Sequence, residues 1–227
     1  MKIATWNIER LKHKFQLESI KRECDRVRAD ILVLTETDSQ VKPDYKYYFQ
    51  TSPLTDYESV YYKSTERRIS IFTNYECINR YPTYDEQTAL CVELETTNGR
   101  LLVYGTIIGI LGNKHPSFME DVTKQLDDIE QFAAANHNLC VCGDFNCTFA
   151  DNYYFTKASR NAIIESFSKN KLALLTKHCG ECIDHIAISE KLAVGATIQI
   201  DEWNEDKTLS DHKGIWVALN KTRFESC

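Results

Sequence analysis

The chain has 227 residues, of which 43% are hydrophobic and 26% are charged, proportions typical of a soluble globular protein. This length fits one large domain or two small ones, and because we find no linker, low-complexity tract or fixed-period repeat, we expect a single domain over residues 1–227. The net charge of −6 argues against a broad basic face for non-specific nucleic-acid binding, although a bound cation can invert the field at an acidic site.

The first part of the chain predicts a strand, a helix and a second strand. A buried strand over 3–6 is followed by an amphipathic helix over 15–27, whose apolar face includes Phe15. A second buried strand covers 31–34. Two buried strands joined by a helix predict a parallel pair with a helical crossover.

Residues 45–95 differ in character from the first part of the chain. Short aromatic or β-branched runs at 47–49, 60–62, 69–72 and 89–94 are separated by turn residues, which predicts an antiparallel meander. The many tyrosines of this stretch could stack on nucleobases. We favour the other interpretation, in which they are half-buried residues of the sheet.

The second half of the chain begins with a hairpin. Asn98-Gly99 between two apolar runs is a strong hairpin signal and predicts a returning strand over 101–108. An amphipathic helix is predicted over 118–135. The remaining predicted elements are a buried strand starting at Leu139, a helix over 157–170, and strands over 183–188, 196–200 and 215–219.

Polar side chains repeatedly follow the buried strands at the point where each strand ends. Asp144 and Asn146 come after the apolar run 139–142, and alternate residues of an extended chain point the same way. We therefore expect both side chains to lie in one space. Asn7 and Glu9 repeat this alternation after the first strand. Taken singly, each pair is equally consistent with a turn or a helix cap.

Further acids and a histidine extend this pattern to the other predicted strands. Glu36 follows the second strand, and Asp211-His212 precede the last one. Asp184 lies inside an apolar strand pattern, where an unpaired acid is costly, so we expect it to orient His212. Glu9, Glu36 and Asp211 are hard oxygen ligands of the kind that Mg²⁺ prefers.

Five motifs, in order along the chain, resemble those of the endonuclease/exonuclease/phosphatase superfamily. They are Thr5-Trp6-Asn7-Ile8-Glu9, Leu34-Thr35-Glu36, Gly143-Asp144-Phe145-Asn146, Ile183-Asp184-His185-Ile186 and Ser210-Asp211-His212. The resemblance implies a four-layer α-β-β-α sandwich, with two mixed sheets packed face to face and helices outside. It also implies metal-assisted attack of water on phosphorus, in which Glu36, with Glu9 and Asp211, would hold Mg²⁺ or Mn²⁺.

The same resemblance implies roles for the catalytic residues. Asp144 would orient or deprotonate the attacking water, and Asn146 and Asn7 would position the water and the phosphate. His212, held by Asp184, would stabilise phosphate charge or act as an acid. We therefore expect a nuclease acting on DNA or RNA. Two alternatives stay open: a hydrolase of a small-molecule or lipid phosphate ester, and a non-catalytic binding module on the same scaffold.

The chain also departs from the family pattern. Ile107 stands where the family usually has a histidine or tyrosine facing the phosphate, and Cys182 stands where an arginine often precedes the strand acid. Lys114 or His115 could supply the missing polar contact, although we favour a plain loop residue as the interpretation of each.

Nine cysteines, an odd number, favour free thiols in a reducing compartment, and we expect a cytoplasmic protein. Cys179 and Cys182 have C-x-x-C spacing with His178 and His185 nearby, so metal or redox chemistry there stays open. No apolar run is long enough to cross a bilayer, and the first residues lack the apolar core of a signal peptide.

Overall fold

A computed structural model describes residues 1–54, 61–135 and 138–221 of the chain. The strands are β1 Lys2–Asn7, β2 Ile31–Asp38, β3 Tyr47–Gln50, β4 Glu66–Thr73, β5 Glu76–Tyr81, β6 Ala89–Thr96, β7 Gly99–Ile107, β8 Leu139–Asp144, β9 Leu172–Leu174, β10 Asp184–Ser189, β11 Ala196–Trp203 and β12 Gly214–Lys221. The helices are α1 Leu17–Val27, α2 Phe118–Ala134, α3 Lys157–Lys169 and α4 Glu190–Ala193. Across these described ranges, no helix is both long and apolar enough to span a membrane.

The first sheet has six strands in the order β11-β12-β1-β2-β4-β3. β1 and β2 run parallel, with Ile3 opposite Ile31 and Asn7 opposite Thr35, and α1 connects them. This confirms the predicted parallel pair with a helical crossover. The other neighbours in this sheet are antiparallel, so the loop before β12 returns to the edge where β1 ends.

The second sheet has the order β5-β6-β7-β8-β10-β9. β6 and β7 form the predicted hairpin, with Thr96 opposite Gly99, and Gly99 has a φ of +90° that favours glycine. β7 and β8 are parallel and are connected by α2. β10 pairs with β8 in the antiparallel direction, so β10 begins where β8 ends.

Three apolar cores separate four layers. Val33 and Val103 belong to the core between the two sheets. On the outer face of the first sheet, α1 packs through Ile20. On the outer face of the second sheet, α2 and α3 pack through Val122 and Ile163. Each such fully buried side chain contributes about 1.5–3 kcal/mol of hydrophobic stabilisation. The order helix, sheet, sheet, helix confirms the predicted sandwich.

The prediction of one antiparallel meander over 45–95 was wrong. β3 and β4 belong to the first sheet, whereas β5 and β6 belong to the second, and the chain changes sheets at the turn around Asn74. Alternation of apolar residues shows which face of a strand is buried but not which strand it pairs with, so it could not reveal this change. In the predicted strand at 60–62, Val60 lies outside the described residues, and Tyr61 and Tyr62 belong to no strand.

The position of Phe15 also differs from the prediction. α1 begins at Leu17, and Phe15 lies in a short 3₁₀ turn with its side chain 94% exposed. The 3₁₀ turn has a different angular repeat from an α-helix, so Phe15 falls outside the apolar face set by Ile20 and Cys24. The eight cysteines within the described ranges are free thiols, as predicted, and Cys227 lies outside those ranges.

Candidate active site

Asp144 and Asp184 lie opposite each other at one end of the second sheet. β8 ends at Asp144, β10 begins at Asp184, and the antiparallel pairing of these strands places the two residues in register. Both are buried, with 2% and 1% of their surfaces exposed. Two buried carboxylates this close disfavour each other's charged forms unless a cation or a donor compensates them.

His212 supplies the compensating charge. Its Nδ1 lies 2.6 Å from Asp184 Oδ2. Burial opposes the charged imidazolium, but Asp184, Asp144 and Asp211 together outweigh burial and raise the pKa of His212 to about 10. His212 is therefore an imidazolium at neutral pH, and the ion pair with Asp184 fixes its orientation.

Whereas His212 is held in its charged form, Asp144 is shifted towards its neutral form. Burial raises the pKa of Asp144 to about 7, a shift that His212 opposes and that Asp184 and Glu36 increase. The backbone N–H of Asn146 donates to Asp144 Oδ1 at 2.8 Å. A carboxyl group that exchanges its proton near pH 7 is suited to general acid–base chemistry.

Asn7 joins the two sheets at this site. Its Nδ2 donates to Asp144 Oδ2 at 3.1 Å and to Glu36 Oε1 at 3.4 Å. Its Oδ1 accepts from the backbone N–H of Glu9 at 2.9 Å, and its carbonyl oxygen accepts from Ser210 Oγ at 2.7 Å. One neutral amide therefore holds carboxylates from both sheets beside each other.

The local backbone explains why Gly143 and Asn146 occupy this stretch. Gly143 has a φ of +142°, and a Cβ there would lie 2.0 Å from the carbonyl oxygen of Thr106. Asn146 has a φ of +47°, which asparagine tolerates better than most residues. Its Nδ2 donates to the carbonyl oxygen of Ile108 at 3.1 Å. The backbone N–H of Asn146 thus reaches Asp144, while the side chain is fixed to the loop after β7.

The three predicted metal carboxylates do not meet as one ready-made cluster. Glu9 accepts from Lys12 Nζ at 2.7 Å and from the backbone N–H of Asp211 at 2.9 Å. Glu36 instead contacts Asn7. In the parts of the chain that the structure describes, no three histidine, cysteine or acidic side chains are placed to enclose a metal ion.

The donor chemistry of these residues nevertheless fits a hard divalent cation. Glu36 and Asp144 lie beside each other on Asn7, and of the two only Glu36 has a direct ion pair, with Arg10 at 3.6 Å, so their combined negative charge is only partly compensated. The side chain of Asp211 is 69% exposed and can move. Because Mg²⁺ is often bound by one or two carboxylates and keeps several waters, it does not require a complete cage of protein ligands.

Arg10 is a site residue that the sequence analysis did not single out. Its Nε lies 3.6 Å from Glu36 Oε2, and its Nη1 lies 3.9 Å from Glu66 Oε2. Glu9, Arg10 and Leu11 all have a positive φ, of 49°, 54° and 55°, which reverses the chain after β1. The sequence feature that could have indicated Arg10 is its position as a basic residue directly after the first motif.

Three of the residues at the departures from the family pattern make local contacts. Ile107 is 1% exposed and packs in the core between the sheets. His115 accepts from the backbone N–H of Ser117 through Nδ1 at 3.2 Å. Cys182 is buried, and its thiol donates to the carbonyl oxygen of Asp184 at 3.0 Å.

A family model described as "Endonuclease/Exonuclease/phosphatase family" matches residues 4–212. The chain belongs to the endonuclease/exonuclease/phosphatase family. The matched range begins in β1 and ends at His212, so it contains every predicted site residue. A search of curated protein sequences finds no match.

Solved structures share the fold of this family member at low sequence identity. A 3′-5′ exonuclease (NExo) from Neisseria meningitidis has a TM-score of 0.70 at 16% identity, over 97% of this chain and 100% of that chain. A structure of the 3′ phosphatase NExo from Neisseria bound to product DNA hairpin also has a TM-score of 0.70 at 16% identity, over 97% and 99%. An AP endonuclease from Archaeoglobus fulgidus has a TM-score of 0.69 at 14% identity, over 96% and 99%.

Proposed function

We propose that this family member is a Mg²⁺- or Mn²⁺-dependent phosphodiesterase that hydrolyses DNA or RNA. One observation carries the proposal: Asp144 lies in register with Asp184 at one end of the second sheet, and Asp184 holds His212 at 2.6 Å. Asn7 connects this group to Glu36. Such a site offers a proton acceptor and a fixed positive charge around one phosphate.

Asp144 is the group that orients the attacking water and accepts its proton. Its carboxylate is held by Asn7 on one oxygen and by the backbone of Asn146 on the other. This arrangement fixes the direction of its remaining lone pairs before substrate binds. His212, held by Asp184, donates from Nε2 towards the phosphate and stabilises the negative charge that develops there.

Glu36, with Glu9 and Asp211, would hold the metal ion. When bound, the ion supplies Lewis-acid stabilisation of the phosphoryl oxygens and of the leaving oxyanion. Arg10 and Lys12 lie beside Glu36 and Glu9 and offset part of their negative charge. Part of the negative charge of these carboxylates is therefore compensated within the protein, and a bound cation would compensate the rest.

The rim of the site supports a nucleic-acid substrate. Lys207 and Lys213 line a cavity of about 270 Å³ together with Asn146 and His212. The Lys207 ammonium lies 4.6 Å from the centre of the half-exposed Tyr153 ring, which lines the same cavity. Lysines beside an aromatic ring are typical of surfaces that follow a phosphodiester backbone. The DNA hairpin bound to the structurally similar Neisseria NExo supports the same substrate class.

A second candidate is a hydrolase of a small-molecule or lipid phosphate ester. The observation that favours it is the charge balance, with 33 acidic residues against 27 lysines and arginines. Such a protein attracts a polyanion weakly, whereas a small ester needs only the local positive charge of the site.

Substitution of the proposed catalytic residues tests the mechanism. Asp144→Asn and His212→Ala are each expected to lower kcat for oligonucleotide cleavage by about 100-fold or more, because each removes a proton-transfer or charge-stabilising group. EDTA is expected to abolish cleavage, and added Mg²⁺ to restore it. Asp127→Asn, on the exposed face of α2, is the matched control and is expected to keep full activity.

The outcomes separate the candidates. Full activity in the Asp144→Asn protein, with its melting temperature unchanged, would contradict the mechanism. Hydrolysis of phosphomonoesters or lipid esters without cleavage of any oligonucleotide would favour the second candidate.

A further inference from the structure

A second cavity adjoins the candidate active site, and the proposed mechanism uses none of its lining residues. It lies between the segment that precedes β4 and the loop that joins β7 to α2, and its volume is about 380 Å³. A cavity of this size accepts a small organic group such as a nucleobase with part of its sugar.

The walls of this cavity combine apolar surface with one guanidinium group. Leu54, Ile110, Leu111 and Phe118 contribute the apolar surface. Arg68 contributes the positive charge from β4. Flat apolar faces with a polar edge are the shape and chemistry of a nucleobase, which stacks on its faces and accepts hydrogen bonds at its edge.

Arg68 has a hydrogen-bonding capacity that the protein does not use. Its Nη2 donates to the Tyr62 hydroxyl at 2.6 Å, and the guanidinium lies 5.0 Å from the centre of the Tyr62 ring. Its Nε is buried and has no acceptor among the residues that the structure describes. A buried, unpaired N–H is costly, so an acceptor on a ligand in this cavity would stabilise it.

Asp85 lines the cavity but does not supply the acceptor that Arg68 Nε lacks. One of its carboxylate oxygens accepts from the backbone N–H of Gln87 at 2.9 Å, and the other accepts from Thr88 Oγ1 at 3.0 Å. Both oxygens are therefore engaged by the turn that contains them.

Asp121 is engaged in the same way by the loop after β7. Its Oδ2 accepts from the backbone N–H groups of Gly109 at 2.6 Å and Ile110 at 3.2 Å. Lys124 pairs with Glu120 at 2.7 Å, so these two charges offset each other. Arg68 is the charged group left to recognise a ligand.

A chain of contacts joins the cavity to the candidate active site. The Tyr62 ring lies 5.3 Å from the guanidinium carbon of Arg10, and Arg10 Nε lies 3.6 Å from Glu36. On the opposite wall, Ile110 lies two residues beyond the carbonyl group that Asn146 binds. A phosphate held between Glu36 and Asn146 would therefore have residues of both cavity walls as near neighbours.

We propose that this cavity binds the nucleobase next to the scissile phosphate, with Arg68 donating to an acceptor on the base edge and the apolar walls packing on the base faces. This inference rests on the proposed function, because it requires a nucleic-acid substrate. It narrows that substrate to single strands and frayed ends, since a base inside a duplex must lose its stacking and pairing before it can enter a cavity.

Removal of single bases from the substrate tests the proposal. Single-stranded oligonucleotides that each carry one abasic position are compared with the intact strand. Removal of the base at one position flanking the cleaved bond is expected to lower kcat/KM about tenfold, mainly through KM. Arg68→Ala is expected to lower kcat/KM about tenfold on the intact strand and to leave the abasic strand unchanged.

Arg67→Ala is the matched control. Arg67 precedes Arg68 in β4, but its Nη1 donates to the carbonyl oxygens of Ser64 and Glu66. Arg67→Ala is expected to lower kcat/KM only weakly, and by the same factor on the intact and abasic strands. An equal loss on both strands in Arg68→Ala, or no effect of base removal at any position, would overturn the base site and leave the phosphodiesterase proposal standing.

If no oligonucleotide is cleaved, a binding measurement still tests the base site. Fluorescence anisotropy of labelled intact and abasic strands is measured with the wild type and with Arg68→Ala. If the wild type binds the intact strand more tightly than the abasic strand, and Arg68→Ala binds both equally, the base site is supported even if the proposed function fails. Equal binding of both strands to the wild type overturns it.

Discussion

Asp184 raises the pKa of both His212 and Asp144 because a negative charge favours protonation of every group beside it. The same charge keeps His212 cationic and moves Asp144 towards its neutral form. The Oδ1 atom of Asp184 is buried and has no hydrogen-bond donor within the described residues. The charge of Asp184 is therefore compensated mainly through His212, which makes the ion pair the central interaction of the site.

His185, next to Asp184 in the chain, has a lowered pKa instead of a raised one. Its ring is buried, Nδ1 lies 2.9 Å from Thr176 Oγ1 and Nε2 lies 3.0 Å from the carbonyl oxygen of Cys147. Burial lowers the pKa of His185 from 6.5 to about 4, although Asp184 opposes the shift. The ring therefore stays neutral in the folded protein at pH values where it is protonated in the unfolded chain.

This shift predicts a loss of stability in acid. Below pH 6.5 the unfolded chain takes up a proton at His185 that the folded protein refuses until about pH 4. The free energy of unfolding of the wild type, relative to His185→Gln, is therefore expected to fall by about 3 kcal/mol between pH 7 and pH 4. Urea unfolding of both proteins across this range measures the difference. A constant difference would show that His185 is not held neutral.

At the scale of one element, β8 depends on a residue without a side chain. Gly143 lies against the carbonyl group of Thr106 in β7, and its φ of +142° is strained for any other residue. The strand thereby stays in register with β7 up to Asp144. The glycine of the third motif is needed for strand pairing, while the aspartate beside it belongs to the site.

Gly143→Ala is therefore expected to destabilise the protein by about 3 kcal/mol or more, because the added Cβ forces β8 away from β7. Gly195→Ala is the matched control: Gly195 also has a positive φ, of +70°, but a Cβ there meets no atom within 4 Å. It is expected to cost only about 1 kcal/mol. Thermal and urea unfolding compare the two variants, and equal losses would show that φ, not the contact with Thr106, governs the effect.

The elements that could be predicted from sequence are those with strong local patterns. The helix predicted over 118–135 is observed at Phe118–Ala134, and the Asn98-Gly99 hairpin is present. β5 was missed because most of its residues are exposed, so it has no apolar alternation to detect. β9 was missed because three residues are too few to show a period.

At the scale of the whole molecule, the net charge of −6 contrasts with the cations around the site. Those cations are Arg10, Lys12, Lys207 and Lys213, of which Lys12 pairs with Glu9 and Lys213 with Glu202. Only a few phosphates can then be neutralised at once, so the affinity for nucleic acid is expected to depend weakly on salt. A plot of the logarithm of the binding constant against the logarithm of KCl concentration is expected to fall with a slope of about 2–3 in magnitude.

Lys207→Ala is expected to reduce that slope by about 0.7, the loss of one phosphate contact on a single strand. Lys169→Ala is the matched control, because Lys169 lies on α3 and pairs with Glu130. Fluorescence anisotropy of a labelled single strand provides the binding constants. A slope of about 6 or more would contradict this picture and indicate a broad basic surface.

The sequence by itself determined the residue types of the candidate site and their positions at strand ends. Asn7, Glu36 and Asp144 each follow an apolar run, and both the run and the polar residue after it are local features. The order of the motifs along the chain was enough to indicate the family, which the family model then confirmed. These signals are readable without a structure because each depends on neighbours only a few residues away.

Only the tertiary structure decided which of these groups meet. Asp184 faces Asp144 because β10 pairs with β8, and Arg10 reaches Glu36 because three left-handed residues reverse the chain after β1. It also placed Ile107 in the core between the sheets. These contacts join residues far apart in the sequence, where no local period constrains pairing, so the packing of the two sheets determines the geometry of the site.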